Sequence, residues 1–307
     1  MKKIIYTSLL VVLAVFGAQA QQDPHYTQYM YNMNVINPAY AGSKEHLSFG
    51  LLYRKQWVDI EGAPSTFSAA GSMPVGKNVG LGLSMISDKI GPISENNVYA
   101  DFSYTLNLGG EHRLAFGLKG GATFHKVGLY SEIGQDNVPD LNDPAFAKNT
   151  SNTFLNIGSG LFYYTDNYYL AFSVPNMIKS THLDYDGRKY GNESVHYFLT
   201  GGYVFQLSDL WKFKPFAMIK TAFGSPMSYD ISTNFLYNER FEMGATYRRD
   251  DSFGAMVNYA ISPNVRVGYA YDHVISDLKV ATTSSHEVIL LFDLNFPKKV
   301  SQSPRYF

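Results

Sequence analysis

From His46 to Phe296 the chain repeats one pattern, in which apolar positions alternate with polar or small ones until a turn interrupts them. Asn97 to Leu108 is the clearest stretch. Val98, Ala100, Phe102, Tyr104, Leu106 and Leu108 share one face; Tyr99, Asp101, Ser103, Thr105 and Asn107 share the other. A period of two is the mark of a β-strand with unlike faces. The next segment sets Leu114, Phe116, Leu118, Ala122 and Phe124 against Ala115, Gly117, Lys119, Thr123 and His125. Near the end, Val265, Val267, Tyr269 and Tyr271 oppose Arg266, Gly268, Ala270 and Asp272, and Val288, Leu290, Phe292, Leu294 and Phe296 oppose Glu287, Asp293 and Asn295. About fourteen such segments follow one another, an even number of the length that crosses a bilayer as an antiparallel barrel. They centre near Leu51, Ala69, Leu83, Phe102, Leu118, Gly158, Ala171, Leu199, Ala217, Thr233, Ala245, Val257, Gly268 and Leu290.

The pattern therefore predicts an all-β fold, a transmembrane antiparallel β-barrel of about fourteen strands preceded by a segment outside the wall. Short turns are expected at Pro74–Asn78, Gly109–His112, Asp166-Asn167, Leu207–Leu210, Asn238–Arg240 and Ser262–Asn264. Longer links are expected at Ile86–Asn96, Lys126–Ser151, Pro175–Glu193 and His273–Ser285. Alternating short and long connections are those of periplasmic turns and external loops, which leaves both termini periplasmic. The links at Gly224–Pro226 and Arg249–Asp251 are short where long ones are due, so the rim is expected to be low there.

Composition fits this reading. Tyrosine (24) and phenylalanine (21) far outnumber tryptophan (2), and only 17% of residues are charged. A net charge of −1 offers no basic face for nucleic acid. Cysteine is absent, which excludes disulfides, a thiol nucleophile and thiolate-bound metal. Lys2 and Lys3, the apolar run Leu9–Val15 and Ala18-Gln19-Ala20 read as a signal peptide over residues 1–20, with Gln21 the first mature residue. Residues 46–296 form the barrel, and 297–307 a periplasmic tail. Arg54, Asp101, Lys119, Lys220, Glu242, Arg248, Arg266, Asp272 and Asp293 fall on the less apolar faces. A lipid-facing Arg or Lys near the midplane costs roughly 2–4 kcal/mol, so these charges mark the lumen.

Residues 21–45 do not alternate. They are rich in Tyr, Asn and Met and end in the turn-forming run Asn37-Pro38-Ala39-Tyr40-Ala41-Gly42. Two compatible readings stand: a periplasmic plug for the barrel, and a docking site for a partner, for which the candidates are Asp23, Pro24, Tyr26, Gln28, Tyr29, Met30, Asn37, Pro38, Ala39, Tyr40 and Gly42. The same residues, with Gln22 ahead of them, carry a resemblance. Together with Phe49, Tyr53, Arg54, Gln56 and Trp57 and the run Gly80-Leu81-Gly82, they resemble the PorP/SprF family of type IX secretion and gliding-motility proteins of the Bacteroidetes. The resemblance covers essentially the whole chain. It implies an outer-membrane component that binds the secretion ring, formed by a lipoprotein and its periplasmic partner, and adhesin cargo bearing a type-B C-terminal domain, for export or surface retention.

Little else suggests chemistry. The eight histidines, His125 among them, have no local zinc spacing, and no nucleophile elbow marks a serine. Asp136, Asp140, Asn142 and Asp143 could supply calcium oxygens but lack the EF-hand spacing, and such residues ordinarily make turns. Gly120-Gly121 reads as close packing inside the barrel rather than a phosphate loop. The expected protein is not an enzyme and holds no cofactor or metal. Its partners are outer-membrane lipids and the secretion components. The alternative is a plugged pore for small or apolar solutes.

Overall fold

The computed structural model describes residues 26–128, 149–178, 194–223 and 225–294, and the backbone alone of 181–185 and 188–192. The signal segment, Asp23, Pro24, the 136–143 loop and the 297–307 tail lie outside the described residues.

The wall begins with β1 (Leu47–Lys55), β2 (Ser65–Pro74), β3 (Val79–Ile90), β4 (Ile93–Gly109), β5 (His112–Val127), β6 (Thr150–Tyr164) and β7 (Tyr168–Val174). A separate hairpin, β8 (Thr181–Tyr185) and β9 (Arg188–Asn192), comes next in the chain. The wall resumes with β10 (His196–Tyr203) and its continuation β11 (Phe205–Gln206), β12 (Trp211–Ala222), β13 (Ser228–Tyr237), β14 (Phe241–Arg248), β15 (Ser252–Ser262), β16 (Val265–Val274) and β17 (Ser284–Leu294). Every ladder is antiparallel. β1 closes the ring on β17 from Leu47↔Leu294 to Lys55↔His286, and β10 joins β7 to β12. With β10 and β11 as one wall strand the barrel has 14 strands, and each expected strand centre lies in one. Closure leaves no strand edge along the ring, which is the condition for placing backbone in hydrocarbon.

The pleat sorts the side chains. Along β4, Phe102 is 44% exposed on the outside while Ser103 is 0% exposed within. Every aspartate and glutamate in the described barrel strands faces inward. The short turns gather at one rim, together with the start of β1 and the end of β17; the longer links gather at the other. Wall height is uneven: β4 has 17 residues and β14 has 8, which makes the low side where the short links after β12 and β14 fall.

Two expectations are corrected. Ile86–Asn96 is no long link. β3 and β4 stay paired to Ile90↔Ile93 and turn on Gly91-Pro92, with Gly91 at φ +52°. Beyond the apolar belt an outward residue need not be greasy, so a polar stretch that reads as loop continues as strand. Gly120-Gly121 also divides: Gly121 packs against Tyr99, but Gly120 faces open space outside.

Candidate functional site

The lumen side of the wall is not uniformly polar. Leu52, Phe162, Phe198, Phe216, Ile289 and Leu291 point inward and are buried. What covers them is residues 26–45, which lie inside the barrel. This segment forms a 3-10 turn (Tyr29–Tyr31), one helical turn (Met33–Ile36) and a second 3-10 turn (Pro38–Tyr40). Pro38 opens its turn, and the Asn37 side chain caps it by accepting from the Ala39 N–H at 2.9 Å. Pieces this short have no stability of their own in water, so the wall must hold them.

The hold is ionic at the beginning of the segment. The Arg248 guanidinium, at the long-link end of β14, donates to the Tyr26 carbonyl at 3.3 Å and pairs with Asp230 (3.0 Å) and Asp251 (3.1 Å). Arg54 pairs with Asp272 (2.7 Å) and Glu287 (3.2 Å) and donates to the Thr27 hydroxyl (3.0 Å). The Thr27 and Gln28 N–H groups donate to the Glu287 carboxylate at 2.9 and 2.8 Å, and the Thr27 hydroxyl donates to Asp272 at 2.6 Å. Tyr29 and Met30 are 0% exposed.

The segment then descends along β12–β14. The Tyr31 hydroxyl donates to Glu242, which also meets Lys214 (3.2 Å), Asn234 (2.8 Å) and, at 3.8 Å, Arg266. Crossing the lumen, the chain meets Ser68 through Asn32 (3.1 Å). Lys119, paired with Asp101 at 3.5 Å, donates to the Asn34 and Val35 carbonyls at 3.3 and 3.0 Å. Lys220 lies over the Phe198 ring, 5.7 Å from its centre.

At the end of the segment the hold is steric. Asn37 donates to the Leu161 carbonyl at 3.0 Å, Ser103 donates to the Ala41 carbonyl at 2.6 Å, and Tyr40 stands edge-on to Phe162 with ring centres 5.3 Å apart. Glycines make room for this approach. A Cβ at Gly117 would fall on the Ala39 nitrogen, one at Gly160 on the Asn37 Oδ1, and one at Gly80 on the Ala41 carbonyl oxygen. Gly42, at φ +73° and packed on Gly80, turns the chain toward β1. Asp293 closes this rim with Lys44 (3.3 Å) and His46 (3.1 Å).

The described docking candidates, Tyr26, Gln28, Tyr29, Met30, Asn37, Pro38, Ala39, Tyr40 and Gly42, thus all meet the chain's own wall. The nine lumen-facing charges all point inward, and most of them hold the segment. Sequence reasoning missed Lys214, Asp230 and Glu287 as members of these clusters. The alternation of Lys212 and Lys214 with Trp211 and Phe213 was the available clue for the lysine. Among the described residues no group of three or more His, Asp or Glu could hold a metal ion.

A closed ring, greasy outside, with its own N-terminal segment sealed within, defines a plugged β-barrel of the outer-membrane type. The chain belongs to the PorP/SprF family: the family model "Type IX secretion system membrane protein PorP/SprF" matches residues 18–292. No curated protein matches the chain. Solved structures with a loose likeness include the Acinetobacter baumannii outer membrane protein Omp33, at 12% identity over 82% of this chain and 100% of that one, with a TM-score of 0.46. The Pseudomonas putida toluene transporter TodX is 10% identical over 85% of this chain and 93% of its own, with a TM-score of 0.49. The Ralstonia pickettii toluene transporter TbuX is 12% identical over 85% and 92%, with a TM-score of 0.48.

Proposed function

We propose that this barrel serves type IX secretion as a non-catalytic, closed accessory. It binds the secretion ring at the short-turn rim, taken as periplasmic, and adhesin cargo carrying a type-B C-terminal domain. One observation supports the closed reading: the N-terminal segment packs against the lumen wall, with Tyr29, Met30, Ala39 and Phe162 all 0% exposed. The periplasmic docking role of residues 21–45 is kept in a narrower form. With the motif residues held by the wall, a ring protein at that rim meets the floor they support, Gly42 to His46.

Two measurements test this. The full mature chain in planar bilayers passes negligible current and co-purifies with ring components and adhesin C-terminal domain. Steady conductance without either partner would sink the accessory reading in favour of a solute pore. Conductance that appears only after removal of residues 26–41 identifies the segment as the seal.

A further inference from the structure

The outer face of the wall carries charge of one sign, in one place. Among the described barrel strands no carboxylate points outward, whereas three lysines do: Lys55, Lys89 and Lys126. They share a single row. Cross-strand register runs Lys126↔Ser94, Ser94↔Lys89, Lys89↔Ser65, Ser65↔Lys55 and Lys55↔His286, so six adjacent strands present Lys, Ser, Lys, Ser, Lys and His side by side. Directly opposed residues of an antiparallel pair share a face. With strands about 4.8 Å apart, successive lysines stand about 10 Å apart with a hydroxyl between them.

The row lies at the long-link rim, where β1 and β5 end. Two rows nearer the middle the same strands present Ala122, Val98, Met85, Ala69, Leu51 and Leu290, without a polar side chain. The row between, Phe124, Asn96, Ser87, Phe67, Tyr53 and Val288, still carries an amide and a hydroxyl, so the cationic row stands just outside the apolar belt. Lys55 also donates to the Ala63 carbonyl at 3.2 Å, and His286 Nδ1 meets the Tyr269 hydroxyl at 2.6 Å with its ring edge-on to Tyr271, its partner across the strand pair. Solvation alone would admit carboxylates at such a rim as readily as lysines. Their confinement to the lumen, opposite a lysine–serine row outside, matches an anion held at headgroup depth.

We propose that this row binds the phosphate groups of lipids in the leaflet around the long-link rim, independently of the secretion role. The test uses the full mature chain in nonionic detergent, offered equal amounts of phosphatidic acid and phosphatidylcholine and read by native mass spectrometry. Wild type retains phosphatidic acid preferentially. Combined Lys55→Gln, Lys89→Gln and Lys126→Gln lowers that preference by at least about tenfold, since each rim lysine contributes appreciably to binding an anionic surface. The matching Lys→Arg variant keeps it, and Lys77→Gln, in the turn at the opposite rim, leaves it unchanged. Heat-modifiable mobility checks folding, and the three single Lys→Gln variants supply a graded loss should the combined one not fold. An undiminished preference in the Gln variants overturns the proposal. So does displacement of the lipid by millimolar inorganic phosphate, which would mark a site for free anions.

Discussion

Gly117 and Gly120 lie on the same strand and differ in what a methyl group would meet. At Gly117 it would fall on the backbone of Ala39; at Gly120 nothing lies within 4 Å. Gly117→Val is therefore expected to unseat residues 37–41 and raise conductance in planar bilayers, whereas Gly120→Val leaves the barrel silent. Equal behaviour of the two would break the link between wall glycines and seal. Arg54 offers a second contrast. Arg54→Met strands Asp272 and Glu287 in the lumen, both nearly inaccessible, at a cost of about 3–5 kcal/mol. Adding Asp272→Asn and Glu287→Gln should recover part of it, measured as the urea midpoint for loss of the heat-modifiable form. On β4, Phe102→Arg places a cation in lipid at roughly 2–4 kcal/mol and should impair insertion into vesicles. Ser103→Arg, one position along, leaves insertion intact but drives a long side chain into the plug at Ala41; equal insertion defects would mean the facing is reversed.

The N-terminal segment is one element with two kinds of attachment. Residues 26–31 are latched by Arg54, Arg248 and Glu242 clusters, and residues 37–42 are keyed into glycine recesses. Asn37→Ala removes both the cap on Ala39 and the donor to Leu161, so it should weaken the keyed part by about 1–3 kcal/mol while leaving the latched part in place. Hydrogen exchange resolved along the segment separates the two: a uniform loss of protection from 26 to 42 would show that they are not independent. The strands were legible in the sequence because lipid and lumen impose a period of two, and Val98–Leu108 displays it without interruption. Residues 21–45 were legible as a non-alternating segment and a candidate plug, but their path through the lumen was not, because nothing inside a lumen imposes a period on it. The reason for Asn37-Pro38-Ala39-Tyr40-Ala41-Gly42 becomes visible only beside Gly80, Gly117 and Gly160, which are distant in the chain. Ile289 and Leu291 escaped notice for a related reason: apolar residues on a lumen face make sense only once the plug supplies their cover. The turn at Gly91-Pro92 was hidden by composition, since the largely polar stretch Ile86 to Asn96 looks like loop to any reading that expects strand to be greasy.

At the scale of the whole molecule, the ring is tall on the side of β4 and β5 and low on the side of β14. Outside, cations mark one rim; inside, carboxylates and cations neutralise one another against the plug. The route of the chain ties these parts together. From Tyr26, the first described residue, near the long-link rim, it passes down through the lumen and enters the wall at Leu47, on the far rim, where β1 meets β17. Assembly therefore resembles lacing a shoe whose final eyelet is the first-to-last strand seam: the leading end must already be tucked through before the loop is drawn tight. A bulky folded cargo fused ahead of Tyr26 should jam that step, while the same cargo fused behind Leu294 hangs free of it.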